Sequence, residues 1–142
     1  MSYCALTDLI ARYGEDEIMA LVDRDRTGTP DAALVEGVLA DVDALIDAHL
    51  AGRYALPLAQ VPRVIVRIAC ELAREALMMA HGARLTDHAP ERVAAQGARS
   101  MLKDIASGRM HIGLPTPASS AGGVRMDSGG RVWGRAEAEG YL

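Results

Sequence analysis

Three long stretches of this chain are each opened by a proline and closed by a glycine: Pro30 and Gly52, Pro62 and Gly82, Pro90 and Gly108. A helix accepts proline at its start, where the N–H has no intrahelical partner, and often ends on a glycine that can turn left-handed. Between each pair, apolar residues recur at three- and four-residue spacing, the period of a helix with one buried side. The first stretch predicts a helix N-capped by Thr29, with Pro30 at the first helical position and Asp31 behind it, running to about Ala51. Its stripe is Val35, Val38, Leu39, Val42, Leu45, Ile46, His49 and Leu50, and Asp41, Asp43 and Asp47 lie off it. The second predicts a helix over 63–80. Its stripe of Ile65, Ile68, Ala69, Leu72, Ala76 and Met79 is widened by Val64, Cys70 and Leu77. A helix apolar over so much of its circumference belongs at the centre of a bundle. The third predicts a helix over 90–107, with Val93, Ala94, Met101, Leu102 and Ile105 inward.

Shorter elements precede these. Leu6 to Val22 reads as two short helices, the first N-capped by Thr7 and stopped by Gly14, the second opened by Glu15, Asp16 and Glu17. The segment 53–62 holds Pro57 and Pro62, so it is a crossing loop, anchored by Tyr54, Leu56 and Leu58. Only 4% of the chain is aromatic, with no Phe and one Trp, so the core is aliphatic. The 25 Ala favour helices over sheets. The expected fold is all-α: a small helical bundle of three long helices plus the short N-terminal ones, over residues 1–112.

Residues 113–142 have another composition, with seven Gly, two Pro and three Ser. That suits an extended C-terminal arm rather than a core. Within it, 124–126 and 131–133 flank Asp127-Ser-Gly-Gly130 as in a small β-hairpin. An isolated hairpin is marginal in water, so this one calls for a partner surface. The single Trp, Trp133, sits there between Arg131 and Arg135.

Several function classes are disfavoured. A net charge of −4 argues against a protein held to nucleic acid by bulk charge. Two cysteines cannot build a disulfide scaffold, which fits a reducing compartment. No apolar run approaches the ~18 residues of a membrane span, and Met1-Ser-Tyr-Cys4 has no leader character. Cys70 reads as a small buried hydrophobe, and Cys4, near the terminus, as exposed. No His pair has zinc spacing, and His49 reads as a partly buried, satisfied histidine. Neither a catalytic residue nor a cofactor is expected.

Two constellations carry alternatives. In 23–34, Asp23, Asp25, Thr27 and Gly28 match the start of a calcium loop, but the twelfth position, a bidentate Glu in such loops, is Leu34. An Asp-rich turn capping a helix is the other reading. On the 90–107 helix, Arg92, Gln96, Arg99 and Lys103 share one face. They could serve a small helical DNA-binding regulator, or form a solvated face or a protein interface. Glu71 and Glu75, four apart with Arg67 and Arg74 nearby, read as a solvated salt-linked face.

Four stretches carry a family resemblance: Tyr3-x-x-Leu-Thr-Asp-Leu-Ile-x-Arg-Tyr-Gly-Glu-x-Glu17; Asp23-Arg-Asp25 with Gly28; Ile46-Asp-x-x-Leu-Ala-Gly-Arg-Tyr-x-Leu-Pro-Leu58; and Val61-Pro-x-Val-Ile-Val-Arg-Ile-Ala-Cys-Glu-Leu-Ala-Arg74. With Leu102-x-x-Ile-Ala-x-Gly108, they resemble the small neck proteins of Mu-like bacteriophages, a head-to-tail connector (adaptor) family. Residues 81–100 match weakly, and the tail after Gly113 carries no matching motif.

The resemblance implies a helical structural virion protein, made in the host cytoplasm and placed in the neck. It implies a ring, typically of about twelve copies, below the portal protein. Such a ring extends the channel through which genomic DNA passes non-specifically and docks the next neck or tail-terminator protein. The expected partners are the portal, neighbouring copies and that next component, with no membrane. Candidate portal or subunit contacts are Arg53, Tyr54, Val124, Met126, Arg131, Val132, Trp133, Arg135 and Tyr141. Tyr54 has a second reading, as a plug of the bundle. Asp41, Asp43 and Asp47 are candidates for an acidic channel wall that DNA slides past.

Overall fold

The computed structural model describes residues 1–86 and 89–116. Five α-helices follow in order: α1 (Leu6–Tyr13), α2 (Glu15–Val22), α3 (Ala32–Leu50), α4 (Arg63–Ala80) and α5 (Pro90–Ser107). The fold of the described residues is all-helical. The hairpin expected at 124–133 and most of the arm lie outside them.

The proline–glycine brackets place α4 and α5 as expected. Pro62 is the N-cap of α4, and Pro90 opens α5. Gly108 closes α5 at φ +81°, the left-handed turn that glycine adopts without a Cβ penalty. The start of α3 differs. Asp31, not Thr29, is its N-cap, and the Asp31 carboxylate accepts the Leu34 N–H at 3.1 Å. A carboxylate also complements the positive end of the helix dipole, so the helix begins past Pro30. In α1 the cap is Ala5 rather than Thr7. Asp8 reaches back to accept the Ala5 N–H at 2.8 Å, which secures the first turn without a capping hydroxyl.

Helix α4 packs against every other helix. Ile65, Ile68, Ala69, Cys70, Leu72, Ala73 and Leu77 are all buried. Leu9 of α1, Ile18 and Val22 of α2, Val42, Ile46 and Leu50 of α3, and Leu102 and Ile105 of α5 close around them. The core is aliphatic apart from Tyr3, Tyr54 and the two cysteines. Ile112 is buried and Leu114 packs partly against the core, so packing continues past α5. Cys4 is 3% exposed, which corrects the expectation of an exposed thiol. It lies against the buried Cys70, and this contact together with burial pushes the Cys4 thiol pKa up, so it stays protonated. No described helix is long and apolar enough to cross a membrane.

Candidate functional site

The loop after α3 is built from its own backbone upward. Leu50 C=O accepts the N–H of both Arg53 (2.9 Å) and Tyr54 (2.8 Å), which ends the helix in a tight turn. That turn drives the Tyr54 ring inward, leaving it 3% exposed beside Leu58. The ring is packed within the body, where the plug reading puts it. Its hydroxyl is buried without a hydrogen-bond partner among the described residues. Arg53 is half-buried and lies over the end of α5, where a Cβ on Gly108 would come within 2.1 Å of its Nη1. The Ile46–Leu58 motif and the Leu102–Gly108 ending of the resemblance therefore meet in space. Tyr54, Ala55, Pro57, Leu58 and Ala59 also enclose, with Leu114 and Pro115, a largely apolar cavity of about 130 Å³. Leu114 and Pro115, near the end of the described residues, thus lie beside this loop.

The acidic trio of α3 separates. Asp43 accepts the Tyr3 backbone N–H at 2.9 Å, and Asp47 accepts the Tyr3 hydroxyl. Burial, reinforced by Asp47, raises the Tyr3 pKa. Asp43 and Asp47 thus fasten the N-terminal segment. They lie one helical turn apart, a spacing that suits one tyrosine's backbone and side chain together. Asp41 alone of the three is fully exposed. His49 is half-buried, and its Nδ1 lies 2.9 Å from Leu45 C=O, as expected of a satisfied histidine.

The basic face of α5 is divided as well. Glu75 of α4 is buried, and its carboxylate meets Arg99 at 2.6 Å and Arg92 at 3.9 Å. Gln96 and Lys103 are exposed. A reader of the DNA groove would need all four free. The burial of Glu75 corrects the reading of a solvated Glu71/Glu75 face. The signal was present in the spacing, because Glu75 falls on the stripe of Ile68, Leu72 and Met79. Arg67 does pair with Glu71 at 2.8 Å. Arg74 reaches elsewhere, to Glu17 of α2 at 2.6 Å and Glu91 of α5 at 3.4 Å, with its guanidinium 4.6 Å from the Tyr13 ring centroid. One cation so joins α1, α2, α4 and α5.

In the 23–31 loop both Asp23 carboxylate oxygens are taken by the loop itself. They accept the N–H of Thr27 at 2.9 Å and of Gly28 at 2.7 Å. These bonds lower the Asp23 pKa. With Asp31 on the α3 N-terminus, these bonds make an Asp-rich capping turn. Arg24 pins the loop to the end of α4 through Ala80 C=O at 2.7 Å.

Two clefts lie between α1 and α4. The larger, about 470 Å³, is lined by Asp8, Ala11, Arg12, Arg63, Val66 and Cys70. The smaller, about 230 Å³, shares Arg12 and adds Tyr13, Arg67, Glu71, Arg74, Glu91 and Ala94. Val124, Met126, Arg131, Val132, Trp133, Arg135 and Tyr141 lie outside the described residues.

The family model described as Bacteriophage Mu, Gp36 matches residues 3–128, which takes in all five helices and both meeting motifs. The chain belongs to the Mu Gp36 family. This Gp36-family chain is 34% identical over 143 residues to the Mu-like prophage FluMu protein gp36 of Haemophilus influenzae, covering 99% of this chain and 98% of that one. It is 43% identical over 75 residues to gene product J of Escherichia phage Mu, covering 51% of this chain and 52% of that one. It is therefore a phage-family protein, and the Arg53–Gly108 contact is part of a Gp36-family body.

Proposed function

We propose that this chain is a structural protein of a tailed phage or phage-like particle, a head-to-tail adaptor that forms a ring below the portal. The observation that carries the reading is the family match over residues 3–128, which takes in all five helices of the body. Arg74, Glu75, Asp43 and Asp47 all serve internal contacts. The two cysteines that could act as nucleophiles are buried in the core. Buried thiols and paired charges suit a scaffold, and we assign no catalytic role.

In this proposal residues 117–142 form an arm that leaves beside the Tyr54–Leu58 loop and reaches the portal or a neighbouring copy. The next neck or tail-terminator protein docks on the opposite side of the ring, and genomic DNA passes through without specific contact. The regulator reading loses support from the pairing of Arg92 and Arg99 with Glu75.

The test is particle mass in solution by light scattering after size exclusion, for the chain alone and with the portal protein of the same genome. A multi-copy complex with the portal is expected. Absence of any association across a range of salt would overturn the adaptor reading. A steeply salt-dependent affinity for duplex DNA, without portal binding, would restore the regulator.

A further inference from the structure

The larger α1–α4 cleft has a cationic rim. Arg12 and Arg63 are exposed, and neither has a carboxylate partner among the described residues. The acid nearest in the lining, Asp8, is already engaged by the Ala5 N–H. The rest of the lining is small or apolar: Ala11, Val66 and the buried Cys70. Such a cleft fits a surface that brings two carboxylates and little bulk between them.

The outward face of α3 has that character. Glu36 and Asp41 are exposed and make no ion pair among the described residues. Their axial separation is about 7.5 Å at the helical rise. At 100° per residue they flank a strip of Gly37, Ala40 and Ala44, all exposed. Leu45, 36% exposed, borders the same strip. This face points away from the core of its own body, where Val42 and Ile46 are buried, so it cannot enter its own cleft.

We propose that α3 of one copy docks in the α1–α4 cleft of a second copy, with Glu36 and Asp41 meeting Arg12 and Arg63. The inference rests on the adaptor reading, because it names the contact between neighbouring copies of the ring. It joins two different faces, so it repeats head to tail until a rotation closes it. Charge pairs of this kind fix register and partner choice more than affinity.

Charge reversal tests it. The full chain is made as Arg12→Glu with Arg63→Glu, and separately as Glu36→Lys with Asp41→Lys. All four residues are exposed, so both variants should keep the wild-type helical circular dichroism and melting temperature. Each variant alone should lose self-association on the portal, read by light scattering. An equimolar mixture should recover it, because every junction then pairs opposite charges. Variants that assemble like wild type, or a mixture that fails to recover, would overturn this contact. The adaptor reading survives if the wild-type chain still forms its multi-copy complex with the portal. A wild-type chain that never associates removes both. Self-association with the expected charge-swap pattern but no portal binding keeps the contact and removes portal docking.

Discussion

At Gly108 the backbone turns left-handed directly beneath the Arg53 guanidinium. Gly108→Ala therefore meets two penalties: a side chain at positive φ, and a clash that Arg53 must move to relieve. A destabilisation of ~1–3 kcal/mol is expected from the backbone conformation alone, with the clash adding to it. In an Arg53→Ala background the clash is gone, so the same substitution should cost less, as a double-mutant cycle by chemical denaturation would show. Titration gives a second prediction at this scale. Burial is the first cause that pushes Tyr13 from its ordinary 10.0 up to about 12, and Tyr3 is raised as well. The unfolded chain then loses these protons first. Stability is intact below pH 10 and falls as pH rises from there toward the folded values. Tyr13→Phe, which keeps the ring under Arg74, should flatten that alkaline fall in melting temperature. At the acid end the sign reverses. Asp23 is held below its ordinary 3.8 by the Thr27 and Gly28 N–H groups, so its contribution is present above that value and lost as pH falls from there through the lower folded value. Asp23→Asn should shorten the acid limb.

At the scale of elements, the α4–α5 pair turns on Glu75. Arg99→Ala leaves Arg92, at 3.9 Å, as the remaining cation near a buried carboxylate. A fully buried pair broken this way costs ~3–5 kcal/mol. Arg99 is 45% exposed, so solvent screening brings the expectation to roughly 1–2 kcal/mol. Glu75→Gln should cost less, since it removes the buried charge while keeping an acceptor for Arg99. Thermal unfolding of the two variants checks the order. These helices were largely legible in the sequence, because proline, glycine and apolar spacing are local signals. The start of α3 was less so: Thr29 and Asp31 are both good caps, and the choice is made by which side chain reaches the first free N–H groups. The site was legible only in part. The motif loop 53–58 stood out, but the partner of Arg53 lies at Gly108, far along the chain. The roles of Asp43 and Asp47 depend on Tyr3, which no period on α3 could reveal. Glu75 could have been found, since a carboxylate on the apolar stripe of a central helix must be buried with a cation.

Across the whole molecule, packing extends past the last helix to Ile112 and Leu114. A chain ending after Thr116 should therefore melt close to the full-length protein and, in the adaptor reading, lose portal docking. One ending after Ser107 removes Ile112 and Leu114 from the core they cover and should melt clearly lower. Both are read by circular dichroism on heating. The central place of α4 has a further consequence, for the order in which the chain can acquire its shape. Ribosomes deliver α1, α2 and α3 first, yet α1, α2 and α3 each pack against α4. Isolated helices this short are marginal in water. The first sixty or so residues must therefore wait, unpacked and open to proteases, until Ala80 has cleared the exit tunnel. Stalled nascent chains ending before Arg63 should be cut readily by added protease, and those carrying α4 and α5 clear of the tunnel should resist it.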